Sequence, residues 1–322
     1  MATVNLKLAE VQNPLWKNYN ESKTLTLPIY KHLNPDTKVF AMGSCFAVEI
    51  REALIKAGID VYPKYKAIPI DHEEYIIGAL PDRDNINYYH TFAIRQEFER
   101  YHDIWSQKEN DYWKLKDRFW TTPQDDVFQD PYRRTVLGKT PELLNKANNL
   151  VTQCTQDGME SADLFLITLG LIEVWRKKDN GLFSCEFPGY NAGGGHTETE
   201  FHLSSFQENY ENLKEIVRLI KLINPKATIV FTVSPVALGR TFTKNDVVTA
   251  NTESKSLLRT AAGQVVREEE NVFYFPSFEI ANSLGEATFK ESGRHVKEDV
   301  VFAITEVFMQ SHSGQAVGSK LG

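Results

Sequence analysis

The stretch Lys38-Val-Phe-Ala-Met-Gly-Ser-Cys-Phe-Ala47, continued by Val48-Glu-Ile-Arg-Glu-Ala-Leu-Ile-Lys-Ala-Gly58, admits few folds. Its first half is a short apolar run, the pattern of a buried strand. Its second half carries Phe46, Ile50, Leu54 and Ala57 at helical spacing and ends at Gly58, a helix stop. Gly43-Ser44-Cys45 therefore sits where a strand turns into a helix. Such a turn places a side chain at the carboxyl edge of a sheet, against the positive end of a helix dipole. It is where α/β proteins keep nucleophiles and phosphate cradles.

The rest of the chain extends this unit. Ile59-Asp-Val-Tyr-Pro63 predicts a second strand. Ala162–Gly170, Ala227–Val233 and Asn271–Pro276 are continuous apolar runs of the parallel-sheet type. Helices are expected from Thr140-Pro141, over 204–223, from Asn251 to about Glu269, and through Val300, Val301, Ile304 and Phe308. This order predicts an α/β three-layer sandwich, doubly wound, with a mainly parallel sheet of about five strands. No linker divides residues 1–322, so a single domain is expected, its core at about 38–63 and 150–310. Residues 64–138, rich in Tyr, Asp, Arg and Trp, break the alternation. They are read as an insertion forming a cap or side wall over the sheet edge, with surface decoration as the alternative. Within it, Ile70–Leu80 predicts a helix, and Trp105–Trp120 offers aromatics for a core or for sugar stacking. Leu25–Tyr30 predicts an edge strand limited by Pro28. Residues 183–202 predict a hairpin with a mobile loop, and Ser311–Gly322 a frayed tail.

Composition removes some function classes. A net charge of −7 argues against electrostatic binding to nucleic acid or anionic membrane. No apolar run approaches the roughly 20 residues of a membrane span, and the N-terminus shows no secretory h-region. Cys45, Cys154 and Cys185 form neither a disulfide framework nor a metal-binding pair, which fits a reducing cytoplasm. His196 and His202 straddle Gly193–Gly195 but lack ligand partners at metal spacing. A small-molecule or glycan substrate is expected; the sequence leaves the oligomeric state open.

The predicted strand ends carry Gly43-Ser44-Cys45, Gly170 with Glu173, Ser234-Pro235, and the loop holding Arg294-His295. A nucleophile, polar groups beside it and a histidine are the composition of an acyl-transfer site. Cys45 and Ser44 are the candidate nucleophiles and His295 the candidate base. This arrangement resembles the SGNH (GDSL-like) hydrolase superfamily. Met42-Gly-Ser-Cys-Phe-Ala47 looks like the signature of the bacterial GSCFA-domain family within it. Thr168–Trp175, Thr232–Val236 and Val247–Arg259 are similar to that family as well.

The resemblance implies a flavodoxin-like strand order and hydrolysis or transfer of ester-linked acyl groups, often on sugars or lipids. It implies no cofactor, with acyl-CoA as a conceivable donor. The superfamily's first block reads Gly-Asp-Ser. Laying Gly43 on its glycine puts Cys45 at the nucleophile position; a shift of one residue puts Ser44 there. Register favours Cys45, and a helix N-terminus is expected to lower its thiol pKa. Gly170-Leu-Ile-Glu173 stands where the superfamily has Gly-x-Asn-Asp. An ionised Glu173 cannot donate to an oxyanion, so it would be protonated, hold another group or bind substrate hydroxyls, with an ion-paired structural anchor as the alternative. The backbone amides of Cys45 and Gly170, with Gly43 shaping the turn, are the expected oxyanion donors. Asn87 and Thr91 are nominated for the second block. His295 matches the histidine of the last block, Asp-x-x-His, although Ser292 replaces its aspartate. Trp175, Ser234, Asn251 and Lys255 complete the candidates as substrate contacts. The rival expectation is a non-catalytic sugar- or nucleotide-binding protein on a decayed SGNH scaffold.

Overall fold

A computed structural model of the chain describes residues 7–8, 16, 26–69, 86–108, 111–115, 127–188, 195–283, 285 and 288–313. The central sheet has five parallel strands: β1 (Lys38–Gly43), β2 (Asp60–Tyr62), β3 (Leu164–Leu169), β4 (Thr228–Val233) and β5 (Val272–Phe275). Their spatial order is β2-β1-β3-β4-β5, so the direction of winding reverses between β1 and β3. Functional clefts form at such a reversal. The register brings Gly43 of β1 beside Thr168 of β3, and Thr168 beside Thr232 of β4.

Alternation along the strands feeds two helical layers. Val39, Ala41, Leu164, Leu166 and Val230 face α1 (Cys45–Lys56), α6 (Ser277–Ser283) and α7 (Glu298–Ser313), packing on Phe46, Ile50, Leu54, Ile280, Ile304 and Phe308. Phe40, Met42, Phe165, Ile167, Ile229 and Phe231 face the other way. There they meet α2 (Thr91–Tyr101), α3 (Pro141–Ser161), α4 (Phe206–Ile223) and α5 (Val247–Glu268). Each large side chain so buried stabilises by roughly 1.5–3 kcal/mol relative to exposure.

The described part of 64–138 is continuous with this core. Phe98, Trp113, Leu115, Val127 and Val136 share a cluster with Phe40 and Phe165. A three-stranded antiparallel sheet, Trp113–Leu115, Val127–Gln129 and Leu137–Gly138, accompanies α2. A buried ion pair, Glu97 with Arg133 at 2.8 Å, ties α2 to the connection between the second and third of these strands. The helix predicted at Ile70–Leu80 and Trp120 lie outside the described residues. Trp105 and Trp113 serve packing: Trp105 donates to the Gln96 carbonyl at 2.8 Å, and Trp113 is buried.

Three expected boundaries move. Thr26–Leu27 pairs with Lys7–Leu8 in a separate two-stranded ribbon rather than edging the central sheet. Helix α5 starts at Val247, because the Asp246 side chain caps the Val248 and Thr249 amides. Helix α7 continues to Ser313, and Ser311 is fixed rather than frayed: its hydroxyl donates to Pro28 and its carbonyl accepts from Tyr30, both at 2.7 Å. Residues 183–202 supply Phe183–Ser184 and Thr199–Leu203, which flank Glu173–Lys177 in a second antiparallel sheet, while 189–194 lie outside the described residues. Among the described residues, no helix is long and apolar enough to cross a membrane.

Candidate active site

A cavity of about 430 Å³ opens at the carboxyl ends of β1, β3 and β4. Ser44, Cys45, Gly170, Glu173, Trp175, Ser234, Lys255 and His295 all line it. The turn between β1 and α1 depends on two close approaches. Gly43 has φ +136°, and a Cβ there would lie 2.2 Å from the Thr168 carbonyl oxygen. A Cβ on Gly170 would lie 2.6 Å from the Tyr89 carbonyl oxygen and 3.1 Å from Ser44 Cβ. Both positions accept only glycine, so β1 and β3 can deliver their ends into one narrow floor.

Ser44 is the N-cap of α1, but its side chain makes no capping bond. Its Oγ is buried without a hydrogen-bond partner among the described residues. Cys45, the first helical residue, is partly exposed and a free thiol. Of the two, Cys45 is the one that a molecule in the cavity reaches. Burial pushes its thiol pKa up, against the opposing pull of Lys255, Arg294, Arg134 and its own backbone amide. The lowered pKa expected from the helix N-terminus is therefore overturned: desolvation outweighs the dipole and the nearby cations.

Lys255 projects from α5 into the floor at 1% exposure, and its Nζ donates to the Gly170 carbonyl at 2.6 Å. Burial, with Arg294 adding to it, pulls its ammonium pKa down to about 7, although Cys45 acts in the opposite direction. His295 stands at the exposed rim; no hydrogen bond joins it to Cys45. Partial desolvation, Arg294 and Lys290 lower its pKa, and Glu49 opposes them.

Glu173 is buried and fully engaged. Its Oε1 accepts from the Thr241 hydroxyl and its Oε2 from the Phe242 amide, both at 2.7 Å. It thus anchors the wall formed by residues 239–243 through neutral donors and not through an arginine. The Gly170 amide, expected as an oxyanion donor, is committed to the Tyr89 carbonyl at 3.1 Å. The Cys45 amide is left at the start of α1, where the first amides have no intrahelical partner.

Three nominated contacts lie outside the cavity lining. Thr91 is buried and donates to Asn209 at 2.8 Å, joining α2 to α4. Asn87 donates to the Tyr89 hydroxyl at 3.1 Å, and its backbone bridges Gly43. Asn251 accepts from the Leu238 amide at 3.1 Å and holds the loop that follows β4. That loop is further pinned where the Ser234 hydroxyl accepts from the Val236 amide at 3.2 Å.

Other lining residues went unnamed in the sequence. Tyr89, His90 and Arg134 come from the insertion. His90 caps α2, accepting from the Ala93 amide at 3.1 Å, and burial holds its imidazole down at about 4. Arg134 pairs with Glu186 at 3.0 Å and donates to the Tyr89 hydroxyl. Phe187 and Phe242 join Trp175 in an aromatic wall, with ring centroids 5.1 and 5.2 Å from the indole and 4.4 Å from each other. The spread of aromatics through the sequence was the one available signal for this wall. His202, paired with Glu208 at 2.8 Å, lies away from the cavity.

Among solved structures, the chain is similar to a family 3 carbohydrate esterase of Clostridium thermocellum, at 11% identity and a TM-score of 0.36 over 85% of this chain and 94% of that one. It is similar to a family 3 carbohydrate esterase from Talaromyces cellulolyticus, at 10% identity and a TM-score of 0.35 over 85% and 97%. An acetyl esterase mutant with an acetate ion matches at 9% identity and a TM-score of 0.36 over 84% and 92%. No curated protein matches the chain. The sequence model of the GSCFA family matches residues 38–308, from the first strand of the sheet into the last helix, and the chain belongs to that family.

Proposed function

We propose that this protein is an SGNH-like acyl hydrolase or acyltransferase whose nucleophile is Cys45. The observation that carries this reading is the shared cavity. An accessible thiol at a helix N-terminus, a histidine at the rim and an aromatic wall line one enclosure at the switch point of the sheet. In the proposed reaction His295 takes the Sγ proton and the sulfur attacks the ester carbonyl carbon. The Cys45 amide and the α1 dipole face the oxygen as it gains charge. The carbonyl re-forms, the C–O bond breaks, and the leaving alkoxide takes the proton from His295. Water or an acceptor hydroxyl then releases the acyl group from sulfur. Glu173 takes no proton in this scheme; it fixes the wall. The chemistry needs no cofactor, an acyl thioester such as acyl-CoA fits as a donor, and a cytoplasmic setting suits a free thiol.

The test is turnover of p-nitrophenyl acetate and of acetyl-CoA by wild type, Cys45→Ala, Ser44→Ala and His295→Ala. Loss of about 10³-fold or more in Cys45→Ala, with Ser44→Ala far milder, supports the assignment. Equal activity in all four proteins overturns it. The absence of a Cys45–His295 hydrogen bond favours a second reading, a ligand-binding protein without turnover. That reading requires all four proteins to be inactive while a sugar or nucleotide still protects Cys45 from alkylation.

A further inference from the structure

The charges lining the cavity do not cancel. Arg134, Arg240, Arg294 and Lys255 stand against Glu173 and Glu186, in a chain whose net charge is −7. Both carboxylates are already engaged. Glu173 accepts from Thr241 and Phe242, and Glu186 accepts from Arg134 and from Gln129, the latter at 3.0 Å.

Two of these cations hydrogen-bond only to carbonyls, and Arg294 stands close enough to Lys255 to repel it. Lys255 is 1% exposed and donates to the Gly170 carbonyl. Arg294 is half-buried, and its Nε donates to the Ala237 carbonyl at 3.1 Å. Its guanidinium lies against Gly239, where a Cβ would come within 3.1–3.2 Å of its central carbon and both terminal nitrogens. Among the described residues, neither Lys255 nor Arg294 has a carboxylate at ion-pair distance. A carbonyl orients a buried cation but does not neutralise it, so the cost of desolvation is not offset. The Cys45 thiol is not the missing counter-ion, because burial keeps it protonated beyond the ordinary thiol range.

We infer that the substrate carries an anionic group, a carboxylate or a phosphate, beside its acyl ester, and that Arg294 and Lys255 hold this group next to Cys45. A guanidinium fixed through Nε presents its two terminal nitrogens as a fork, which matches two oxygens of one anion. The wall of Trp175, Phe187 and Phe242 then takes the apolar face of the ring that bears the ester. This substrate class rests on the reading of Cys45 as nucleophile. Its test therefore uses the thiol and not turnover.

The experiment compares alkylation of Cys45 by iodoacetate, which is anionic, and by iodoacetamide, which is neutral, with sites resolved by peptide mass spectrometry. Cys154, which does not line the cavity, is the internal reference. The iodoacetate-to-iodoacetamide rate ratio at Cys45 should exceed that at Cys154 by about threefold or more at low salt and fall toward it at high salt. Arg294→Gln should remove the preference and Arg294→Lys should keep it; if Arg294→Gln does not fold, Lys255→Met, read below about pH 7 where Lys255 is charged, should lower it. Protection of Cys45 from iodoacetamide by glucuronate, glucose 6-phosphate or glucose identifies the anion. Greater protection by glucuronate points to a carboxylate, and by glucose 6-phosphate to a phosphate. A ratio at Cys45 no higher than at Cys154, or glucose protecting as well as both anionic sugars, overturns the inference. An inactive enzyme that still prefers iodoacetate would sink the esterase reading and leave the anion site standing.

Discussion

Lys255 Nζ donates to the carbonyl of Gly170 at 2.6 Å, joining helix α5 to the end of strand β3 beneath Cys45. The bond carries a titration with a definite sign. Burial pulls the folded-state pKa of Lys255 down to about 7 from its ordinary value of 10.5. Between these values the unfolded chain binds more protons than the folded one, so stability rises with pH. The penalty is fully present below about pH 7 and is relieved above it. Wild type should gain up to about 1.4 kcal/mol per pH unit from this group alone between about pH 7 and 8.5, below the thiol range. Lys255→Met should lack that slope. Urea midpoints for both proteins at several pH values check it, and parallel slopes would count against it.

The Cys45 thiol titrates late. Burial raises its pKa, and Lys255, Arg294 and Arg134 only moderate the rise. Alkylation of Cys45 by iodoacetamide should be slow at neutral pH and climb through and beyond pH 9, the ordinary value. Lys255→Met removes one moderating cation and should slow labelling further at and below about pH 7, where Lys255 carries its charge. A Cys45 that labels fully and fast at pH 6 would contradict this.

Gly43→Ala and Gly170→Ala should be among the most damaging small substitutions in the chain. The first drives a Cβ to 2.2 Å from a β3 carbonyl in a backbone conformation that L side chains rarely adopt; the second meets Tyr89 and Ser44. Losses of about 4 kcal/mol or more are expected, as for backbone strain combined with core overpacking. Thermal unfolding of both variants reads this directly.

Glu173→Ala removes the acceptor for the Thr241 hydroxyl and the Phe242 amide. About 2–4 kcal/mol should be lost locally, since the two bonds to a carboxylate are charge-assisted. The expected readout is faster proteolytic cleavage within 239–245, with global unfolding affected less. Cleavage at the wild-type rate would show that the loop does not depend on this carboxylate.

Glu97 marks the deepest electrostatic commitment. Burial alone would raise its carboxyl pKa, but Arg133 and Arg100 hold it down at about 2, from 4.5. A depressed carboxylate stabilises the fold above its unfolded value and loses that contribution as pH falls through its folded one, here between about pH 4.5 and 2. Glu97→Gln removes the carboxylate that pairs with both guanidiniums, leaving Asp130 as their nearby charge, and should cost about 3–5 kcal/mol at neutral pH, measurable as a lower urea midpoint.

The central sheet was legible because its signals are local. Apolar runs ending in Gly43, Gly170 and Ser234 marked three strand ends, and a sheet of parallel strands gathers such ends by construction. That logic also points to Cys45, Glu173 and His295, which line one cavity, while Trp175 and Lys255, which line it too, are nominated through the family resemblance. What it could not reach was the insertion. Tyr89 and His90 enter the site because the Tyr88 amide donates to the Gly43 carbonyl at 2.7 Å and the Tyr89 carbonyl accepts from Gly170 and Leu171. These pairings cross long stretches of chain and leave no periodic trace. The sequence points to the polar Asn87 and Thr91 and passes over Tyr89 and His90, the pair that lines the cavity. Arg133 and Arg134 make the same point: one goes inward to Glu97, its neighbour to the cavity, and only tertiary contacts separate them. The raised thiol pKa escapes the sequence for a similar reason, since a helix terminus can be read from sequence but depth of burial cannot.

The strip from Asn87 to Tyr89 has a consequence for how far the insertion can be cut back in this chain. It is hydrogen-bonded to the carboxyl ends of both β1 and β3, so it closes the gap between the two middle strands like a keystone between two halves of an arch. Insertions that sit above a sheet can be shortened, swapped or deleted as modules while the scaffold persists. Here, excision would expose the Gly43 carbonyl and the Gly170 amide and leave the floor beneath Cys45 without its third side.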